Sequence, residues 1–133
     1  LNRIFVLIYK KDQMRIVIID DSDLLRKTVA RAFREIKNVE IVGEAKDGLI
    51  GLQVIKDKQP DLIILDIRMP ELSGIAVLTN IKEQGIKCKI CILTNYPQQQ
   101  YKEKCLAEGA DYFFDKNKDF KLMLNTIDML ANQ

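Results

Sequence analysis

The chain has 133 residues, 47% of them hydrophobic, enough to bury the core of one compact domain. Basic residues number 21 and acidic residues 19; three of the bases and one of the acids fall in residues 1–13, which leaves 18 of each from Met14 onward. That balance offers no electrostatic footprint to nucleic acid or an anionic membrane, and the absence of histidine excludes His-based triads, the usual catalytic zinc ligand sets and a phosphohistidine of the chain's own.

Residues 1–13 differ in character from the rest of the chain. Ile4–Tyr9 is apolar but much shorter than the about 20 residues of a membrane-crossing helix, and no small-residue cleavage site comes after it. The expectation is an N-terminal extension, either an extra strand seeking a sheet edge or sequence upstream of the domain proper, leading into one domain over residues 14–133.

From Met14 the chain alternates regularly. A strand is expected over Arg15–Asp20, then a helix capped by Ser22 whose apolar face carries Leu24, Leu25, Thr28, Val29, Ala32, Phe33 and Ile36 at spacings of three and four. A second strand is expected over Val39–Glu44, with a helix opened by Asp47-Gly-Leu; Gly48-Leu-Ile-Gly51 lies inside that helical pattern and carries no phosphate-loop signal. The third strand, Leu62–Asp66, leads to a helix opened by Ser73-Gly-Ile. The fourth, Ile90–Thr94, leads to a helix with Pro97 as its first residue, and Tyr112–Phe114 leads to a helix over Lys118–Leu130. Strand and helix in alternation, five times over, imply an α/β fold: a parallel sheet covered by helices on both faces.

Three cysteines, an odd number, argue for a reducing compartment, hence the cytoplasm, over a disulfide scaffold. Cys88-Lys-Ile-Cys91 matches the C-x-x-C spacing, but strand residues three apart point to opposite faces, so both sulfurs are expected to be separate core thiols.

In a sheet of this kind the functional crevice lies beyond the carboxyl ends of the strands, where the strand order reverses. The residues at those ends are Asp20 and Asp21, then Asp66, then Thr94, then Lys116. Taken singly, each has an ordinary explanation: an aspartate after a strand caps a helix or forms a turn, Thr94 is a β-former, Lys116 is a surface lysine. Taken together, three carboxylates, a hydroxyl and an ammonium on one rim suit a hard cation such as Mg2+ with a phosphate group. Asp23 is better explained by the helix dipole.

The stretches Ile19-Asp-Asp21, Pro60-Asp-Leu-Ile-Ile-Leu-Asp-Ile-Arg-Met-Pro70, Ser73-Gly74, Leu93-Thr94, Gly109-Ala110 and Asp115-Lys116 resemble the receiver domain of bacterial two-component response regulators. The resemblance runs from Met14 to the C-terminus. It implies a doubly wound (βα)5, flavodoxin-like sandwich with five parallel strands in the order 2-1-3-4-5. It implies Asp66 as phosphoryl acceptor, Mg2+ held by Asp20, Asp21, Asp66 and the Arg68 carbonyl, and Thr94 and Lys116 as contacts to the phosphoryl oxygens. The donor would be a histidine kinase or a phosphotransfer protein. Such a domain is a signalling phosphoacceptor, not a conventional enzyme, although it catalyses its own phosphoryl uptake and loss. Thr94 and Phe113 would form the switch, acting on the surface of the fourth helix, fifth strand and fifth helix, where Tyr96, Tyr101 and Tyr112 also lie; a target protein or a second copy of the chain would dock there. The expected protein is a stand-alone receiver with neither nucleic acid nor membrane as partner.

Some residues depart from the family's pattern. Asn117 stands where the family carries a proline after a cis peptide, so the sequence leaves the Lys116–Asn117 bond open. Asn95 stands where alanine or glycine is usual, and Arg68 and Tyr96 occupy positions that tune hydrolysis in relatives. A different class is also in view: Asp21-Ser-Asp23 after an apolar strand resembles haloacid-dehalogenase-type phosphohydrolases, with Asp21 as nucleophile. That reading leaves Asp66 unexplained, and Leu25 stands where that family has threonine or valine.

Overall fold

The computed structural model describes residues 13–133, so the extension expected over residues 1–13 lies, but for Gln13, outside the described residues. Among the described residues five strands alternate with five helices: β1 (Met14–Ile19), α1 (Asp23–Phe33), β2 (Val39–Ala45), α2 (Gly48–Lys58), β3 (Leu62–Leu65), α3 (Gly74–Glu83), β4 (Lys89–Thr94), α4 (Gln99–Ala107), β5 (Tyr112–Asp115) and α5 (Phe120–Ala131). All pairings are parallel and the order is β2-β1-β3-β4-β5, the flavodoxin-like arrangement expected.

Strand alternation sorts the core into two layers. Val17, Ile19, Ile63, Leu65, Ile90 and Ile92 face one side, where Ile55 of α2, Val77, Leu78 and Ile81 of α3 and Cys105 of α4 cover them. Ile16, Ile18, Leu62, Ile64, Cys91 and Leu93 face the other side, against Val29 and Phe33 of α1 and Met123 and Ile127 of α5. A sheet covered on both faces needs strands that are apolar throughout, which is why β3 is buried at every position. Cys88 packs against the first layer and Cys91 lies in the second, so the C-x-x-C pair is split by the sheet and all three cysteines are free thiols.

Three helices start on side-chain caps, as expected from their first residues. Ser22 Oγ accepts from the Leu25 N–H at 3.1 Å, Asp47 Oδ1 from Ile50 at 2.8 Å and Ser73 Oγ from Ala76 at 3.2 Å. The fourth helix differs from expectation. Pro97 is not its first residue: Gln98 keeps an extended ψ of 144° and acts as the N-cap, so Pro97 belongs to the preceding loop and α4 begins at Gln99 without a side-chain cap. The fifth helix starts two residues later than Lys118, because the chain first makes a turn in which Asp119 Oδ2 accepts from the Asp115 N–H at 2.9 Å and the Asp119 N–H donates to the Asp115 carbonyl at 2.9 Å.

Candidate functional site

The chain leaves β1 toward β2 and leaves the adjacent β3 toward β4, in opposite directions across the sheet, so the crevice opens at the carboxyl ends of β1 and β3. Asp20 and Asp66 stand one residue beyond those strands. Their backbones are still in the ladder: the Asp20 N–H donates to the Ala45 carbonyl and the Asp66 N–H to the Ile19 carbonyl, both at 3.0 Å. Two adjacent strands thus fix both carboxylates. Asp21, next along the chain, is exposed. Carboxylate oxygens of Asp20, Asp21 and Asp66 nonetheless lie within 4.8 Å of one another.

Lys116 completes the cluster from the end of β5. Its N–H donates to the Thr94 carbonyl at 2.8 Å, which ties the ends of β4 and β5 together. Its Nζ lies 2.8 Å from Asp20 Oδ2 and 3.3 Å from Asp66 Oδ2. The peptide between Lys116 and Asn117 is trans, as the missing proline allows. Asn117 replaces the proline with a donor, and its N–H bonds to Asp115 Oδ1 at 2.8 Å.

Burial, reinforced by the charge of Asp20, pushes the Asp66 carboxyl up to about 6, against the pull of Lys116 and of the Ile67 N–H. Burial works against the Lys116 charge, but its bonds and charge contacts with Asp20 and Asp66 outweigh it and hold the ammonium above the ordinary lysine pKa. One ammonium therefore faces three carboxylates. The donor set suits a hard divalent cation, since carboxylate oxygens this close repel one another unless a positive charge sits among them.

Thr94 ends β4 fully buried, and its Oγ1 accepts from the Tyr96 N–H at 3.0 Å. Its cross-strand partner is Asp115; Phe113 lies two residues back, opposite Ile92. Phe113 is half-buried against the α2–α4 side of the sheet. Tyr112 turns to the other face, the α5 side of β5, and stacks on Phe114 at 6.0 Å. Strand alternation is the reason. Asn95 is exposed and lines a hollow of about 270 Å3 with Ser22, Leu25, Lys116 and Asn117 beside the cluster.

One side chain near the site carried no signal of its own in the sequence. Arg26 donates to the Asp20 carbonyl and pairs with Asp23 and, at 3.3 Å, with Glu44, so it braces the turn that carries Asp20 and Asp21. Its i,i+3 spacing from Asp23 is visible along the chain, but its reach to β2 depends on the pairing of β1 with β2. Tyr101, named above from its place near the output surface, accepts from Arg68 through its hydroxyl.

Residues 16–128 match the response regulator receiver domain. The chain belongs to that family. Among curated relatives of this receiver, the virulence-factor transcription regulator BvgA of Bordetella pertussis is 32% identical over 111 residues, covering 84% of this chain and 53% of BvgA. The transcriptional regulatory protein YhcZ of Bacillus subtilis is 34% identical over 113 residues, covering 85% and 53%. Among solved structures, the receiver domain of the response regulator NarL from Mycobacterium tuberculosis aligns with a TM-score of 0.83 and 28% identity, covering 90% of this chain and 97% of that one. A chain of the CheX–CheY–BeF3–Mg complex of Borrelia burgdorferi aligns with a TM-score of 0.82 and 26% identity, covering 92% of each.

The receiver spans about half the length of these curated relatives, which are transcription regulators. They lend no support to the expectations of a stand-alone protein and of no nucleic-acid partner. Among the described residues no helix is long and apolar enough to cross a membrane.

Proposed function

We propose that this receiver accepts a phosphoryl group on Asp66 from the phosphohistidine of a histidine kinase or phosphotransfer protein. The convergence of Asp20, Asp21, Asp66 and Lys116 carries this reading, with the Asp66 and Lys116 side chains both largely shielded from water. An Asp66 carboxylate oxygen forms a bond to phosphorus as the nitrogen–phosphorus bond of the donor breaks, and the departing imidazole keeps the electron pair and takes up a proton. Phosphoryl transfer needs positioning and charge neutralisation more than acid–base help. Asp66 Oδ1 already accepts from the Ile67 N–H at 2.8 Å, which orients the carboxylate with Oδ2 toward Lys116. The Lys116 ammonium neutralises charge on the incoming group. Thr94 Oγ1 accepts from Tyr96, which leaves its own proton free to donate to a phosphoryl oxygen. Asp20, Asp21, Asp66 and the Arg68 carbonyl would hold Mg2+, and the bound ion would supply further positive charge to the phosphoryl oxygens. The CheY relative that was solved with BeF3 and Mg supports this assignment by family likeness.

The phosphoryl group then biases a two-state equilibrium by being bound better in one state. Thr94 and Phe113 are the switch residues of this reading. The output is a protein contact on the α4-β5-α5 surface, with a target protein or a second copy of the chain. A nucleophilic Asp21 is the weaker reading, since Asp21 is exposed and Asp66 is buried within the cluster.

Intact mass after treatment with acetyl phosphate and Mg2+ tests the proposal. The wild type and Asp21→Asn should differ in rate, with a stable adduct where uptake persists, while Asp66→Asn should take up nothing. An adduct that survives in Asp66→Asn and disappears in Asp21→Asn would transfer the nucleophile to Asp21 and overturn the assignment.

A further inference from the structure

Arg68 is exposed, yet two aromatic residues from other segments hold its guanidinium. Its Cζ lies 4.0 Å from the centroid of the Tyr96 ring and 5.7 Å from that of Tyr101. Its Nη2 also donates to the Tyr101 hydroxyl at 2.7 Å, and the two tyrosine rings meet edge-on at 6.4 Å and 67°. The loop after β3, the loop after β4 and α4 are thereby joined at one point. The phosphoryl chemistry proposed for Asp66 uses the Arg68 carbonyl and has no need of the guanidinium.

α4 is otherwise held lightly. Cys105 is its one buried residue and it has no side-chain cap, whereas α3 buries Gly74, Val77, Leu78 and Ile81 and is capped by Ser73. A modest surface contact therefore has an unusually large say in where α4 sits.

We infer that Arg68, Tyr96 and Tyr101 form a clasp that holds α4 in its unphosphorylated position and opens when the Thr94 hydroxyl turns toward a phosphoryl group on Asp66. This rests on the reading of Asp66 as the phosphoacceptor. The link is the 3.0 Å bond from the Tyr96 N–H to Thr94 Oγ1. Thr94 is fully buried, so its hydroxyl cannot move toward Asp66 without either breaking that bond or drawing the Tyr96 backbone along. Both outcomes shift the Tyr96 ring relative to Arg68. The guanidinium then loses the flat surface on which it rests, and Tyr101 keeps a single solvent-exposed hydrogen bond in place of a two-sided grip. Unlike a rotation of Phe113, which acts on the sheet side of the surface, the clasp acts on the loop end of α4 and leaves Arg68 and Tyr101 available to a partner.

The test is a 15N-labelled full chain in Mg2+, titrated with beryllofluoride, as wild type, Tyr96→Leu, Tyr101→Phe and the double variant. Tyr101→Phe removes only a hydroxyl remote from the carboxylates. Without beryllofluoride its Gln99–Ala107 amide resonances should move part of the way toward the positions they take in the beryllofluoride-bound wild type. Its beryllofluoride affinity should rise roughly two- to fivefold, the bias expected of losing one solvent-exposed hydrogen bond while both rings stay in place. Because both tyrosines act through Arg68, the double variant should gain little over either single one. Unmoved α4 resonances in Tyr101→Phe, or fully additive effects, would overturn the clasp. If the wild type binds no beryllofluoride, the phosphoacceptor reading fails and the opening step fails with it. Amide exchange then still decides the clasp in the free protein: faster exchange confined to α4 in Tyr101→Phe upholds it, and unchanged exchange removes it.

Discussion

At Asp66, the proposed phosphoacceptor, stability and function are opposed in a single side chain. Burial and the neighbouring Asp20 raise its pKa from 3.8 to about 6, so between those values the folded, metal-free protein binds more protons than the unfolded chain. Stability therefore falls as pH rises through that window and stays lower at neutral pH. Removing the charge should reverse the loss: in EDTA at pH 7, Asp66→Asn is expected to be more stable than wild type by on the order of 1–2 kcal/mol, with the gain vanishing near pH 4. Urea denaturation across that pH range measures it. A variant no more stable than wild type at pH 7 would mean that Lys116 already neutralises the site.

The helices differ in how tightly they are seated, and two glycines show where. A Cβ on Gly74 would meet the Asp66 carbonyl oxygen at 1.8 Å, and one on Gly48 would meet the Leu72 carbonyl oxygen at 2.0 Å. The N-terminus of α3 is thus pressed against the backbone of the proposed phosphoacceptor itself, where nothing flexible can yield. Gly74→Ala is expected to cost about 2–3 kcal/mol by thermal or urea denaturation, and to shift the Asp66 amide resonance, because the strain falls on that peptide. α4 is the opposite case. With Cys105 as its one buried residue, it should show the fastest amide exchange of the three helices on its side of the sheet, well ahead of α3. Equal protection of α3 and α4 would remove the basis for treating α4 as the movable element.

For the whole molecule, a metal held by groups that come together only in the folded state stabilises the fold by mass action. Mg2+ at tenfold excess over its dissociation constant should add about 1.4 kcal/mol, seen as a rise in Tm. Asp20→Asn and Asp21→Asn should each lose most of that rise, and Glu40→Gln, on the far end of β2, should keep it. A rise of equal size in all three variants would point to a nonspecific salt effect. The cluster draws on the ends of β1, β3 and β5, so it forms only when the sheet has closed in its final order.

The alternation of strands and helices and the aspartates at the strand ends were legible in the sequence because each rests on a local pattern, whereas the strand order came from the resemblance to receiver domains. Apolar runs such as Leu62–Leu65 announce strands buried on both faces, Ser22, Asp47 and Ser73 announce helix starts, and a strand end is where an aspartate meets the crevice. The same alternation correctly separated Cys88 from Cys91. Other features had no local signal. Pro97 is compatible with the first turn of a helix and with the loop before it, and the extended backbone of Gln98 decided between them. The raised pKa of Asp66 follows from burial and from Asp20, which the chain places 46 residues away and the sheet places alongside. The contacts of Arg26 with Glu44 and of Arg68 with Tyr96 and Tyr101 join segments whose proximity is set by strand order. Periodicity reports which face of an element is buried; only the packed sheet determines which long side chains then meet across the loops at its rim.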